Sequence, residues 1–146
     1  MHADTCREAV KGADIILAAT SSPEILLESA WVEKGTTVIA LNGFIDVDPS
    51  LASQADKWVV GNRKTDQTEI IDSGIMSHGV KLDAGDIYGE IADIVTGALP
   101  GRESQDEIIV YTHMGSGAYD IACADFVYRK AVSEGQGTLL WLNERM

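Results

Sequence analysis

Three side chains able to carry a proton stand where apolar runs break off. Residues 108–111 are followed almost at once by His113, and residues 37–41 by Asn42-Gly43 and then Asp46 and Asp48. An imidazole with an ordinary pKa of about 6.5 can give or take a proton near neutrality, so His113 is an acid–base candidate. The plainer reading is a histidine hydrogen-bonded at a strand end. Asp46 and Asp48 read first as a solvated loop carboxylate and a helix cap, with Asp46 alternatively a proton carrier at the strand end. Asn42-Gly43 is first of all a turn dipeptide. It could also let a flat ring approach the backbone, because glycine has no side chain.

Other chemistries find less support. His2, His78 and His113 lie far apart with no paired ligand spacing, so no metal site is expected. Met114-Gly-Ser-Gly117 lacks the first glycine of a G-x-S-x-G nucleophile turn, and no G-x-G-x-x-G fingerprint occurs anywhere. Cys6 and Cys123 read as reduced thiols, Cys123 packed in a helix. A formal net charge of −12 repels nucleic-acid phosphate and anionic membrane. No apolar run approaches the roughly 20 residues of a membrane span, and the first ten residues carry no secretory pattern, so a cytoplasmic protein is expected. With 146 residues the chain has the length of one domain.

Elements must hold these residues in place. Residues 107–131 read as a strand at 108–111 buried on both faces, a junction relaxed by Gly115, Ser116 and Gly117, and a helix ending near Val132. Upstream, Thr5-Cys-Arg-Glu8 has capping-box form and opens a short helix stopped by Gly12. Residues 14–19 form a strand ending in the polar loop Thr20-Ser21-Ser22-Pro23, and residues 28–32 a helical turn. Residues 37–41 form a second strand that Asn42-Gly43 stops. Asp48-Pro49 starts a short helix, and residues 57–60 are a third strand. Residues 63–78 read as a polar, exposed helix, and 87–96 as a firmer one, with Ile87, Ile91, Ile94 and Val95 on one face. A last apolar run covers 138–142. Strands alternating with helices, and apolar throughout, imply an α/β fold with a parallel sheet and flanking helices. In such sheets ligands sit beyond the carboxyl ends of the strands, which selects the loops at 20–23, 42–46 and 113–117.

Residues 13–43 (ADIILAATSSPEILLESAWVEKGTTVIALNG), 89–111 (GEIADIVTGALPGRESQDEIIVY) and 114–131 (MGSGAYDIACADFVYRKA) resemble, in order and at nearly the same spacing, the ornithine cyclodeaminase/mu-crystallin family. The resemblance implies a partial Rossmann-like sheet over about residues 13–105 and a C-terminal strand–helix return toward a dimerisation domain over about 106–146. It implies NAD or NADP as cofactor and hydride exchange at the α-carbon of a small amino or imino acid. Thr20, Ser21, Leu41, Asn42, Gly43 and Gly115 match the family's cofactor-side positions, and Asp120 its downstream aspartate. Two positions depart from it. Phe44 stands where cyclodeaminases carry a catalytic aspartate, which leaves Asp46 as the substitute. His113 stands where the family has a serine. Only the second half of the family pattern is matched, so a homodimer or a separately encoded N-terminal half is expected as partner. The rival reading is a non-catalytic binding or structural protein, or an inactive truncated copy, of the mu-crystallin type.

Overall fold

The structure is a computed structural model and describes residues 2–140. Two compact units are present, divided between Gly115 and Ser116. The first holds one parallel sheet of β1 (Ile15–Ala18), β2 (Thr37–Phe44), β3 (Lys57–Val60), β4 (Ile87–Glu90) and β5 (Ile109–Thr112), in the order β1-β2-β5-β3-β4. It also holds the short helices α1 (Cys6–Val10), α2 (Leu51–Gln54), α3 (Arg63–Asp66) and α4 (Ile91–Val95). This confirms the α/β class with a parallel sheet.

The register places Ile15 opposite Thr37, and Ile109 between Thr37 and Lys57. Alternate residues therefore line up across the sheet. On one face Ile16, Ala18, Val38, Ala40, Val110, Trp58 and Val60 pack with Leu27, Phe44, Val47, Leu51 and Ile70 into the core. The indole of Trp58 meets Phe44 edge-on at 5.5 Å and donates to the Thr112 hydroxyl at 2.9 Å. A large apolar ring is thus buried without orphaning its N–H. The other face is covered unevenly. Ile15 and Leu17 are 65% and 60% exposed, and Ile39, Ile109 and Tyr111 are half-buried beside Ile91 and Ile94 of α4.

Several sequence expectations change. Val110 is buried, but Ile109 and Tyr111 on the opposite face are only half-buried, so β5 is not buried on both faces. β2 continues through Asn42-Gly43 to Phe44 instead of stopping there, because Phe44 is drawn fully into the core. The helix expected at Asp48-Pro49 begins at Leu51, since the Asp48 carboxylate turns the chain by accepting from the Ser50 N–H at 2.9 Å. The exposed helix expected at 63–78 is α3 followed by a π-helical turn (Gln67–Asp72) and a 3-10 turn (Ile75–Ser77), with Asp66, Ile70 and Ser77 buried. Helix at 87–96 is confined to α4. Ile87 and Gly89 belong to β4, where a side chain on Gly89 would lie 2.4 Å from Leu99, and the Glu90–Asp93 capping box starts α4 only afterwards.

The second unit contains α5 (Gly117–Ser133), with Arg129 and Asp125 paired at 2.9 Å one turn apart. Its Ile121, Phe126, Val127, Tyr128 and Val132 are exposed, and Cys123 is exposed instead of packed. Residues 138–140 have no regular structure, and Trp141 and Leu142 of the last apolar run lie outside the described residues.

Candidate functional site at the carboxyl ends of the strands

Because all five strands run parallel, their carboxyl ends share one rim. Thr20, Ser21, Leu41, Asn42, Gly43, Asp46 and His113 all follow or finish β1, β2 or β5 there. The tertiary structure adds Gly61, Asn62 and Asp66 beyond β3 and Glu90 at the end of β4.

Asp46 is 1% exposed. Its Oδ2 accepts from the Thr20 hydroxyl at 2.8 Å and the Thr20 N–H at 3.2 Å. Its carbonyl accepts from the N–H groups of Leu26 and Leu27 at 2.9 and 3.1 Å. One residue therefore anchors both ends of the loop after β1. Thr20 Oγ1 in turn accepts from the Ser22 N–H at 3.1 Å, which leaves Thr20 and Ser21 exposed on a fixed backbone. Asp46 Oδ1 has no hydrogen-bond partner among the described residues. Two residues on, Asp48 bonds the backbone N–H groups of Ser50 and Ser29 at 2.9 and 3.2 Å. Burial opposes its ionisation, but these bonds outweigh burial and hold its carboxyl below the usual aspartate range.

At the end of β2, Leu41 is 42% exposed and Asn42 half-buried. Gly43 is buried with φ at +63°, and the space a side chain would need is filled by Met76 at 3.1 Å and Met114 at 3.2 Å. Its glycine is explained by backbone conformation and packing. Gly115 also has positive φ, +80°, with open space around the position of a side chain.

His113 donates its backbone N–H to Ala40 at 3.1 Å, and its ring stacks on Tyr111 at 6.0 Å between centroids. The Nδ1 edge of the ring rests on Gly61, where a Cβ would lie 2.2 Å from Nδ1. Asp66, 1% exposed, accepts from the Asn62 N–H at 2.8 Å through Oδ2, while Oδ1 has no hydrogen-bond partner among the described residues. Burial raises the Asp66 carboxyl above the aspartate range; the Asn62 N–H and the nearby His113 pull the other way, and Glu90 adds to the rise. Sequence reading missed Asp66. The available signal was Asn62, a cap directly after a strand, whose Oδ1 accepts from the Thr65 N–H at 3.0 Å and so starts the turn that carries Asp66 inward.

A cleft of about 360 Å³ is lined by Arg7, Glu8, Lys11, Ala30, Trp31 and Glu33 near the amino ends of β1 and β2. Parallel-sheet geometry puts ligands at the opposite rim. No group of three or more potential metal ligands occurs among the described residues.

A parallel sheet with fixed loops beyond its carboxyl ends defines a Rossmann-like ligand-binding unit. Residues 2–135 match the ornithine cyclodeaminase/mu-crystallin family, and the chain belongs to it. It is 33% identical over 134 residues to a delta(1)-pyrroline-2-carboxylate reductase of Bacillus cereus, covering 89% of this chain and 41% of that protein. Among solved structures it is similar to the Thermococcus litoralis delta(1)-pyrroline-2-carboxylate reductase in complex with NADH and L-proline, with 28% identity, a TM-score of 0.73, and coverage of 94% of this chain and 44% of that one. An archaeal alanine dehydrogenase dimer with bound NAD is similar at 25% identity and a TM-score of 0.74, covering 96% and 44%. The chain spans about two fifths of the length of the curated relatives it matches.

Proposed function

We propose that this chain forms the nicotinamide-side wall of an NAD(P)-dependent oxidoreductase acting on a small amino or imino acid. The observation that carries the reading is the Asp46–Thr20 anchor. It fixes an exposed polar loop next to the exposed Leu41 and the half-buried Asn42, at the rim where a parallel sheet binds its ligands. These residues fit one side of a nicotinamide nucleotide: Thr20 and Ser21 offer polar contacts, Leu41 an apolar surface, and Asn42 an amide. Gly115 leaves room for a close approach from β5. The cofactor supplies hydride exchange when bound. The protein's part is to hold the substrate near the strand ends and manage one proton. His113 is the proposed carrier of that proton. Asp46, also a candidate, is buried and bonded to Thr20, so its contribution runs through the loop it anchors.

The 146 residues hold no glycine fingerprint for the pyrophosphate, and in this reading a further segment supplies that wall. β1 pairs only with β2 among the described residues, and its Ile15 and Leu17 are exposed, which offers an edge and an apolar face to such a segment, either a separately encoded N-terminal half or a homodimer partner. No described helix is long and apolar enough to cross a membrane. We place the protein in the cytoplasm, with neither nucleic acid nor membrane among its partners.

Isothermal titration with NADH and NADPH tests the proposal. The chain alone should bind too weakly to measure, and adding a family N-terminal half that carries the fingerprint should produce micromolar affinity. No binding in the mixture, despite complex formation, would refute the cofactor role. Binding without turnover of any imino acid would favour the non-catalytic reading.

A further inference from the structure

β2 runs to Phe44, but its pairing with both neighbouring strands ends at Ala40. Leu41, Asn42 and Gly43 therefore stand beyond the paired ladder, and the backbone bond across the bend after them is long, 3.5 Å from the Ile45 N–H to the Asn42 carbonyl. One segment meets this rim at two points. Met76 fills the space beside Gly43, its Cβ 3.1 Å from where a side chain would begin, and His78 Nε2 lies 2.6 Å from the Ile45 carbonyl. A carbonyl only accepts, so Nε2 carries the proton and donates. The segment is also closed on itself. The Gly79 N–H donates to the Gly74 carbonyl at 2.9 Å, and the hydroxyl of the buried Ser77 lies 3.0 Å from the Val80 carbonyl. Gly74, His78 and Gly79 all have positive φ, +65°, +51° and +74°. Glycine adopts that conformation freely; among the described residues His78 alone adopts it with a side chain. The side chain is exposed, so burial does not impose the conformation, and the bond to Ile45 is what the conformation secures.

We propose that residues 74–79 are a clamp on the end of β2, with His78 as the positioning residue that holds the Ile45 carbonyl and through it the rim from Leu41 to Asp46. The Ile45 carbonyl and the Asp46 N–H share one planar peptide, so fixing the first orients the second. Asp46 in turn holds Thr20 through its carboxylate and Leu26 and Leu27 through its carbonyl. The clamp thereby reaches the loop after β1 without touching it. For its purpose the proposal rests on the oxidoreductase reading, in which Leu41, Asn42 and the Thr20 loop form the surface a nicotinamide nucleotide lies against.

Imidazole NMR and amide exchange test the clamp without cofactor. His78 is one of three histidines and is assigned with His78→Asn, which tolerates a left-handed backbone but is too short to reach the Ile45 carbonyl. In the unsubstituted chain the neutral His78 ring should be the Nε2–H tautomer. In His78→Asn, exchange at Leu26, whose N–H is held by the Asp46 carbonyl, should accelerate about tenfold, the worth of one hydrogen bond, with no change at Val38 in the core. His78→Gln, with a longer amide donor, should restore part of the protection. An Nδ1–H tautomer, or unchanged exchange at Leu26 in a folded His78→Asn chain, would overturn the clamp. With a family N-terminal half added, His78→Asn should bind NADH about fivefold to tenfold more weakly than the unsubstituted chain. Equal affinity would overturn the clamp's bearing on the ligand. NADH bound by neither chain would overturn the oxidoreductase reading and leave the clamp standing, so the two can fail separately.

Discussion

Replacing Thr20 by valine removes one hydroxyl and keeps the shape of the side chain. The hydroxyl donates to Asp46 Oδ2 at 2.8 Å, while the weaker backbone bond at 3.2 Å survives. A hydrogen bond to a charged group is worth about 1.5–3 kcal/mol. Thr20 is exposed and water competes for the bond, so the lower end applies, about 1.5 kcal/mol. Asp46→Ala removes the acceptor, but it also removes a buried oxygen without a donor, so its own cost is a mixture. A double-mutant cycle isolates the contact. Urea unfolding of the wild-type chain, Thr20→Val, Asp46→Ala and the double variant should give a coupling of about 1.5 kcal/mol, well above the roughly 0.5 kcal/mol scatter of non-interacting pairs. Amide exchange at Ser22, whose N–H is held by Thr20 Oγ1, should accelerate in Thr20→Val with little change at Val38 in the core. Additive free energies, or unchanged exchange at Ser22, would refute the view that Asp46 fixes this loop.

Lys57 is buried and pairs with Glu103 at 2.7 Å and Glu107 at 3.4 Å. Burial alone would lower the Lys57 pKa, but the two carboxylates outweigh it and raise it. Its contribution to stability is therefore complete below the unfolded value of about 10.4 and is lost as pH rises through the higher folded value. Lys57→Ala should cost about 2 kcal/mol in urea unfolding at pH 7, less than a fully buried pair because Glu103 is exposed, and the alkaline decline should flatten. Gly43→Ala should cost about 2 kcal/mol in thermal unfolding, from positive φ and the contacts with Met76 and Met114. Trp58→Phe orphans the Thr112 hydroxyl and should cost about 1–3 kcal/mol, measured by urea unfolding. Asp66 has a raised folded pKa, so its favourable contribution is present below the unfolded value of about 3.9 and is lost as pH rises through the folded one. Asp66→Asn should accordingly be no less stable than wild type at pH 7 and less stable relative to it at pH 3, as read from melting temperatures at the two pH values.

The sequence by itself determined the class of fold and the rim at which the candidate site was sought. Apolar runs broken by polar loops are local signals, and they located β1, β3 and most of β2 and β5 within a residue or two. The parallel-sheet rule then pointed to the loops holding Thr20, Asn42 and His113. Tertiary structure decided the rest, for identifiable reasons. Ile87 shares a helical pattern with Ile91, Ile94 and Val95 but pairs with Trp58 of β3, and at Gly89 Leu99 leaves no room for a side chain. Residues 63–78 carry a polar pattern, yet Asp66, Ile70 and Ser77 are turned inward by a cap at Asn62 and a π-helical turn. The meetings of Asp46 with Thr20 across 26 residues, and of His113 with Gly61 across about fifty, depend on strand order, β1 lying beside β2 and β5 between β2 and β3. No periodicity within one segment encodes which distant strand end will stand beside it, and that neighbour determines what each of these side chains can do.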